Sequence, residues 1–255
     1  METVQDVLSK RVRRLKQSYV DYVNNPYHPK TAHAMRVNAR KLRSLLSFLK
    51  PTIEEEKYKK LNEALKTVAK VYGPLRELDV LIDLCTHIAG KHPEASDHYQ
   101  KMFRYLHQER GEEMERTLVE ADNTLKTIDT VETDLNELIF NTNADWNDFI
   151  TEHLQKKHKK LKKDYQNVDQ SDYEAVHDIR KAAKKLRYSA RYLGKLASMK
   201  HKGIAKDAKR IQEAFGKLTD AHVNEEMLAA YAKKVDDKQL RETFMKMSDM
   251  QKNLD

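Results

Sequence analysis

One eleven-residue pattern occurs twice and fixes the helical character of the chain. His33–Arg43, H-A-M-R-V-N-A-R-K-L-R, returns 144 residues later as His177–Arg187, H-D-I-R-K-A-A-K-K-L-R. At about 100° per residue, His33, Arg36, Arg40 and Arg43 fall within an arc of roughly 80° on one helix. His177, Arg180, Lys184 and Arg187 do the same. The opposite faces are apolar: Met35, Leu42, Leu45, Leu46 and Leu49 in the first copy, Ile179, Leu186, Ala190 and Leu193 in the second. Each copy is therefore an amphipathic helix whose polar side is a cationic stripe about 15 Å long.

A charged stripe is ordinarily a solvated helix face, but solvated faces mix signs. Acid–base pairs one turn apart stabilise a helix, whereas like charges at that spacing oppose it. No acid occurs between Met35 and Lys50, or between Ile179 and Lys206. Leaving two such stretches unneutralised costs stability, so an anionic partner is expected to supply the missing charge.

The formal charge of +8 understates this concentration. Residues 111–148 hold eleven acids against Arg116 and Lys126, a net −9, which leaves +17 on the remainder. Such a balance points to nucleic acid, a membrane surface or polyphosphate without choosing among them. Six Gly and five Pro in 255 residues favour an all-α fold. No run approaches membrane-spanning length, and the N-terminal residues lack the apolar stretch of a signal peptide. The single cysteine, Cys85, fits a reducing, cytoplasmic compartment. Its neighbours Leu81, Ile82, Leu84 and Ile88 mark it as a core residue.

Helical periodicity and breakers divide the chain. A first helix spans Thr3 to Asn24, and N-P-Y-H-P breaks it. The stripe helix runs to Lys50, where Pro51 stops it. Thr52 with Glu55 reads as a capping box for a third helix ending at Gly73. Pro74 opens a fourth, and a fifth begins near Pro93. Later segments overlay earlier ones: Leu154–Tyr165 on Leu8–Tyr19 at a separation of 146, and Ala208–Asp220 on Leu65–Glu77 at 143. Ser171 with Glu174 reads as a second capping box. An internal duplication follows, with a first helical bundle at 1–118, an acidic connector at 119–143 (helical around Glu132 to Phe140) and a second bundle at 144–255. Two related halves favour a pseudo-twofold arrangement, in which facing stripes would line a shared basic groove or pore.

The pattern gives little support to catalysis. H-E-x-x-H, P-loop, G-x-G-x-x-G and paired cysteines are all missing. His87, His92, His98 and His107 match no metal spacing and read as surface histidines. Glu54, Glu55 and Glu56 suit a helix start. Asp79 and Asp83 read as anchors for Arg76 or as caps rather than ligands. No cofactor and no metal site are expected.

H-x-x-R-x-x-x-R-K-L-R, the later G-P-L-R-E-L-D-V and the degenerate second copy together resemble the CHAD domain, the conserved histidine α-helical domain. The resemblance covers nearly the whole chain. It implies two four-helix bundles around a central basic pore, and binding of inorganic polyphosphate through the residues lining it. On matching positions, the binding set is His33, Arg36, Arg40, Lys41 and Arg43 with His177, Arg180, Lys184, Lys185 and Arg187. Lys10, Arg14, Lys66, Arg76, Lys160 and Lys209 extend it. The family's R-D-x-D-V is changed here, since Glu77 follows Arg76 before Asp79 and Val80. The second copy has Lys184 in place of an arginine and gains Lys181 and Arg191. The E-x-E-x-K strand of a fused catalytic domain is missing, which reads as a standalone, non-enzymatic binding module, localised at polyphosphate granules. The alternatives are single-stranded RNA binding, an accessory module of a polyphosphate or triphosphate hydrolase, and an adaptor for an acidic protein.

Overall fold

The computed structural model of the chain describes residues 2–93, 96–142, 145–198 and 200–252. Among these, eleven α-helices follow one another with no strand: α1 (Val4–Asn24), α2 (Pro29–Leu49), α3 (Glu55–Val71), α4 (Gly73–Lys91), α5 (Ser96–Val119), α6 (Ala121–Asn136), α7 (Trp146–Asn167), α8 (Tyr173–Tyr192), α9 (His201–Ala214), α10 (Gly216–Lys234) and α11 (Lys238–Lys252). Both stripes are helical, as their periodicity requires.

The cap of α1 has the reciprocal form. Thr3 accepts from the Asp6 amide, and Asp6 accepts from the Thr3 amide. The two boxes read from sequence do not form. Thr52 sits in a 3-10 turn and donates its hydroxyl to the Leu49 carbonyl at 2.8 Å, so α3 starts after Glu54 without a side-chain cap. Asp172 caps α8 by accepting from the Ala175 amide at 3.0 Å, while Ser171 donates its hydroxyl to Asp169 at 2.8 Å. A charged acceptor one residue along takes the role in that second case.

Two compact units form, and they cut across the two halves read from the sequence. One comprises residues 1–72 and 120–216, the other 73–119 and 217–255. In the first unit α1, α2 and α3 pack together, α7, α8 and α9 pack together, and α2 packs on α8. Buried apolar faces drive this: Met35, Leu42, Leu45 and Leu46 on α2, Val176, Ala183, Leu186 and Ala190 on α8. Phe48 meets the Phe149 ring edge-on at 6.1 Å. After α8 the chain turns so closely that a Cβ on Gly194 would fall 2.6 Å from the His201 Cβ, so a larger residue there would force the two apart.

The stretch 119–143 is more than a connector; residue 143 and the following 144 lie outside the described residues. It holds α6, which packs on α1 and α3. Ala121, Thr124, Ile128, Val131 and Leu135, spaced three and four apart, form its buried face. Its acids meet the outer lysines of those helices: Lys16 pairs with Asp129 at 2.8 Å and with Glu132, and Lys60 with Asp134 at 2.9 Å. These apolar residues recur at helical spacing within the acidic stretch.

The second unit packs α4, α5 and α11 together, with Leu81, Cys85, Met102, Leu106, Leu228 and Phe244 in its core. Burial pushes the Cys85 thiol up to about 12, which keeps it protonated and inert at neutral pH. Asp79, read from sequence as an anchor for Arg76, instead accepts from Arg110 Nε at 2.8 Å, its side chain fully shielded from solvent.

Candidate functional site

The two stripe helices lie side by side within the first unit. Lys41 on α2 lies within electrostatic reach of Arg187, Arg191 and Tyr192 of α8. Further along α2, Ser44, Ser47 and Phe48 share a cavity with Ala182, Lys185, Leu186 and Ser189. Rising numbers on one helix meet falling numbers on the other, so α2 and α8 run antiparallel.

α1 adds to this surface. The Arg11 guanidinium lies over the Tyr192 ring at 4.4 Å from its centroid, and Arg191 approaches the same ring at 5.8 Å. Lys41 donates to Asn38 at 3.1 Å, and Asn38 donates to Ser18 of α1 at 2.7 Å. Arg11, Lys41, Arg187 and Arg191 thus converge from three helices. Burial holds the Lys41 amine below the usual lysine range, and Arg11, Arg191 and Arg187 push it further down against an opposing effect of Tyr192. A cation so placed is stabilised by any anion that arrives.

His33 and Arg40 are exposed, whereas Arg36, Arg43, His177, Arg180, Lys184 and Arg187 are half-buried. Arg43 Nε donates to Asn62 of α3 at 3.0 Å, which fixes the direction of its fork. His33, Arg36, Arg40, Arg180 and Lys184 each already engage a neighbour in the chain. The His177 imidazole is held below its ordinary 6.5, first by burial, then by Lys181 and Arg180. Its Nδ1 lies 3.4 Å from the Tyr173 hydroxyl, one turn earlier.

A family model describing the CHAD domain matches residues 4–229. The chain belongs to the CHAD domain family. Two solved structures share the fold over 98% of this chain. The CHAD domain from the plant Ricinus communis is 19% identical, with a TM-score of 0.79 and 84% of its own length covered. PptA from Streptomyces chartreusis is 13% identical, with a TM-score of 0.68 and 94% covered. At such identities the likeness is one of fold. No curated protein sequence matches the chain.

The additional CHAD positions taken from the resemblance divide into groups. Lys66, Lys160 and Lys209 each pair with an acid on their own helix: Glu63 at 3.0 Å, Asp164 at 2.9 Å and Glu213 at 3.4 Å. These helices follow the mixed-sign rule that the stripes break. Lys10 pairs with Glu2 at 2.5 Å, and with Arg14 it lines a shallow recess along α1 beside Arg11 and Arg13. Arg76 belongs to the second unit. Sequence reasoning did not place Arg11, Arg191 and Tyr192 in the site. Arg191 extends the second stripe by one turn and was legible from spacing. Arg11 was signalled by its position between Leu8 and Leu15, where a cation interrupts an apolar face.

Among the described residues, no three His, Cys, Asp or Glu side chains group closely enough to hold a metal ion. No described helix is long and apolar enough to cross a membrane.

Proposed function

We propose that this CHAD-family chain binds inorganic polyphosphate, without catalysing its cleavage, along the surface made by α1, α2 and α8. The observation that carries the reading is the convergence of Arg11, Arg187 and Arg191 on the half-buried Lys41. Such a cluster is unfavourable alone and is relieved by a partner bearing closely spaced negative charge. Linear polyphosphate repeats one anionic unit, so cations recurring along helices match it without reading a sequence. Arginine forks suit its oxygens bidentately. Family membership and the acid-free stripes support the same partner.

Duplication belongs to this reading. Five helices, α1 to α5, precede α6 and five, α7 to α11, follow it, a count that supports two copies of one ancestral unit. A pseudo-twofold axis between α2 and α8 would make their stripes one continuous groove. The protein then acts in the cytoplasm as a localising module at polyphosphate granules. Burial of Asp79 against Arg110 argues against a metal-dependent hydrolase built on that carboxylate.

Single-stranded RNA is the rival ligand, since charge alone would serve it. RNA binding relies on aromatic faces open to bases. Here Arg11 covers the Tyr192 ring at 4.4 Å, and Arg187 lies over the Tyr188 ring at 5.0 Å. Those rings orient guanidinium groups instead. Competition separates the two: long-chain polyphosphate should displace labelled single-stranded RNA at equal phosphate concentration. Displacement in the opposite direction would reject the proposal.

A further inference from the structure

A cavity of about 160 Å³ opens in the first unit between α2, α7 and α8. Phe48, Leu161, Ala182 and Leu186 make its apolar walls. Ser44 and Ser189 also line it, but their hydroxyls donate to the Arg40 and Lys185 carbonyls at 2.8 and 3.0 Å. Their protons are therefore spent within the helices. Lys157, Lys160 and Lys185 stand around the cavity against a single carboxylate, Asp164. That carboxylate is taken by Lys160 at 2.9 Å. Lys157 and Lys185 make no ion pair among the described residues. Burial holds the Lys157 amine below the usual lysine range, and Lys185 beside it pushes the same way.

We infer that this cavity binds a small phosphate monoester bearing a ring-sized apolar group, its ring against Phe48 and Leu161 and its phosphate between Lys157 and Lys185. The volume supports the ring, because an apolar cavity of about 150 Å³ accommodates benzene. Two ammonium groups that form no ion pair among the described residues, with Asp178 acting on Lys185 only through its field, support a dianion. A polyphosphate chain has no apolar body to fill such a wall, so this inference does not rest on the reading above.

The test titrates the full chain with phenyl phosphate, inorganic phosphate and benzyl alcohol at low salt. Phenyl phosphate should bind at least about ten-fold more tightly than either of the others, because it alone joins ring burial to charge. Ala182→Leu, at an exposed position on α8, fills the cavity and should remove that gain. The same variant should leave long-chain polyphosphate affinity within about two-fold, a change below 0.5 kcal/mol. Lys157→Ala should weaken phenyl phosphate specifically. Phenyl phosphate binding no tighter than inorganic phosphate, or a gain that survives Ala182→Leu, would overturn the inference.

Discussion

Under the proposed reading, His177 would couple polyanion binding to pH. Its folded value is depressed below 6.5 by burial and by Lys181 and Arg180, so the free protein binds fewer protons there than the unfolded chain. Its contribution therefore disfavours the folded state as pH falls through 6.5. A bound polyanion would raise the same group, and affinity should rise between about pH 7.5 and about pH 5.5. His177→Asn should flatten part of that rise, as read by titration at the two pH values; an affinity that does not change with pH would contradict the assignment. Asp79 makes a different kind of contribution. Asp79→Asn leaves the Arg110 guanidinium buried without its counter-charge, and should cost about 3–5 kcal/mol in urea unfolding. A loss under about 1 kcal/mol would mean that Arg110 finds other company. At this scale the sequence was informative where spacing decides, as for the stripes. It was less so for partners far apart in the chain: nothing local says that Asp79 meets Arg110 rather than Arg76.

At the scale of the element, α6 separates composition from structure. Its acids suggested a solvated link, yet Ile128 and Val131 are fully buried and its carboxylates meet Lys16 and Lys60. The acidity concentrated here neutralises outer faces of α1 and α3 and leaves the stripes without acid. Ile128→Ala should therefore cost about 2–4 kcal/mol in thermal or denaturant unfolding, the loss of a core side chain plus its cavity. A connector would tolerate the change. Helix limits were mostly legible from Pro and Gly, because those residues act locally. Caps were less so, since Thr52 and Asp172 compete with equally suitable neighbours and only the path of the chain decides.

At the scale of the whole molecule, periodicity made the all-α class plain, and ordered motifs identified the family. The compact units escaped the sequence because helix pairing is chosen by complementary apolar faces distant in the chain. α2 lies on α8, and the compact units interleave both halves rather than following them. That pairing is what turns two separate stripes into neighbours, with Arg11 and Tyr192 completing the surface. The most direct measurement is a titration with polyphosphates of graded length at two salt concentrations, using the native chain and Arg43→Ala/Arg187→Ala. Affinity should climb with chain length, fall steeply with salt by analogy with counterion release from nucleic acids, and lose most of its length dependence in the double variant. Tripolyphosphate binding as tightly as long chains, with the variant unchanged, would contradict an extended surface shared by the two helices.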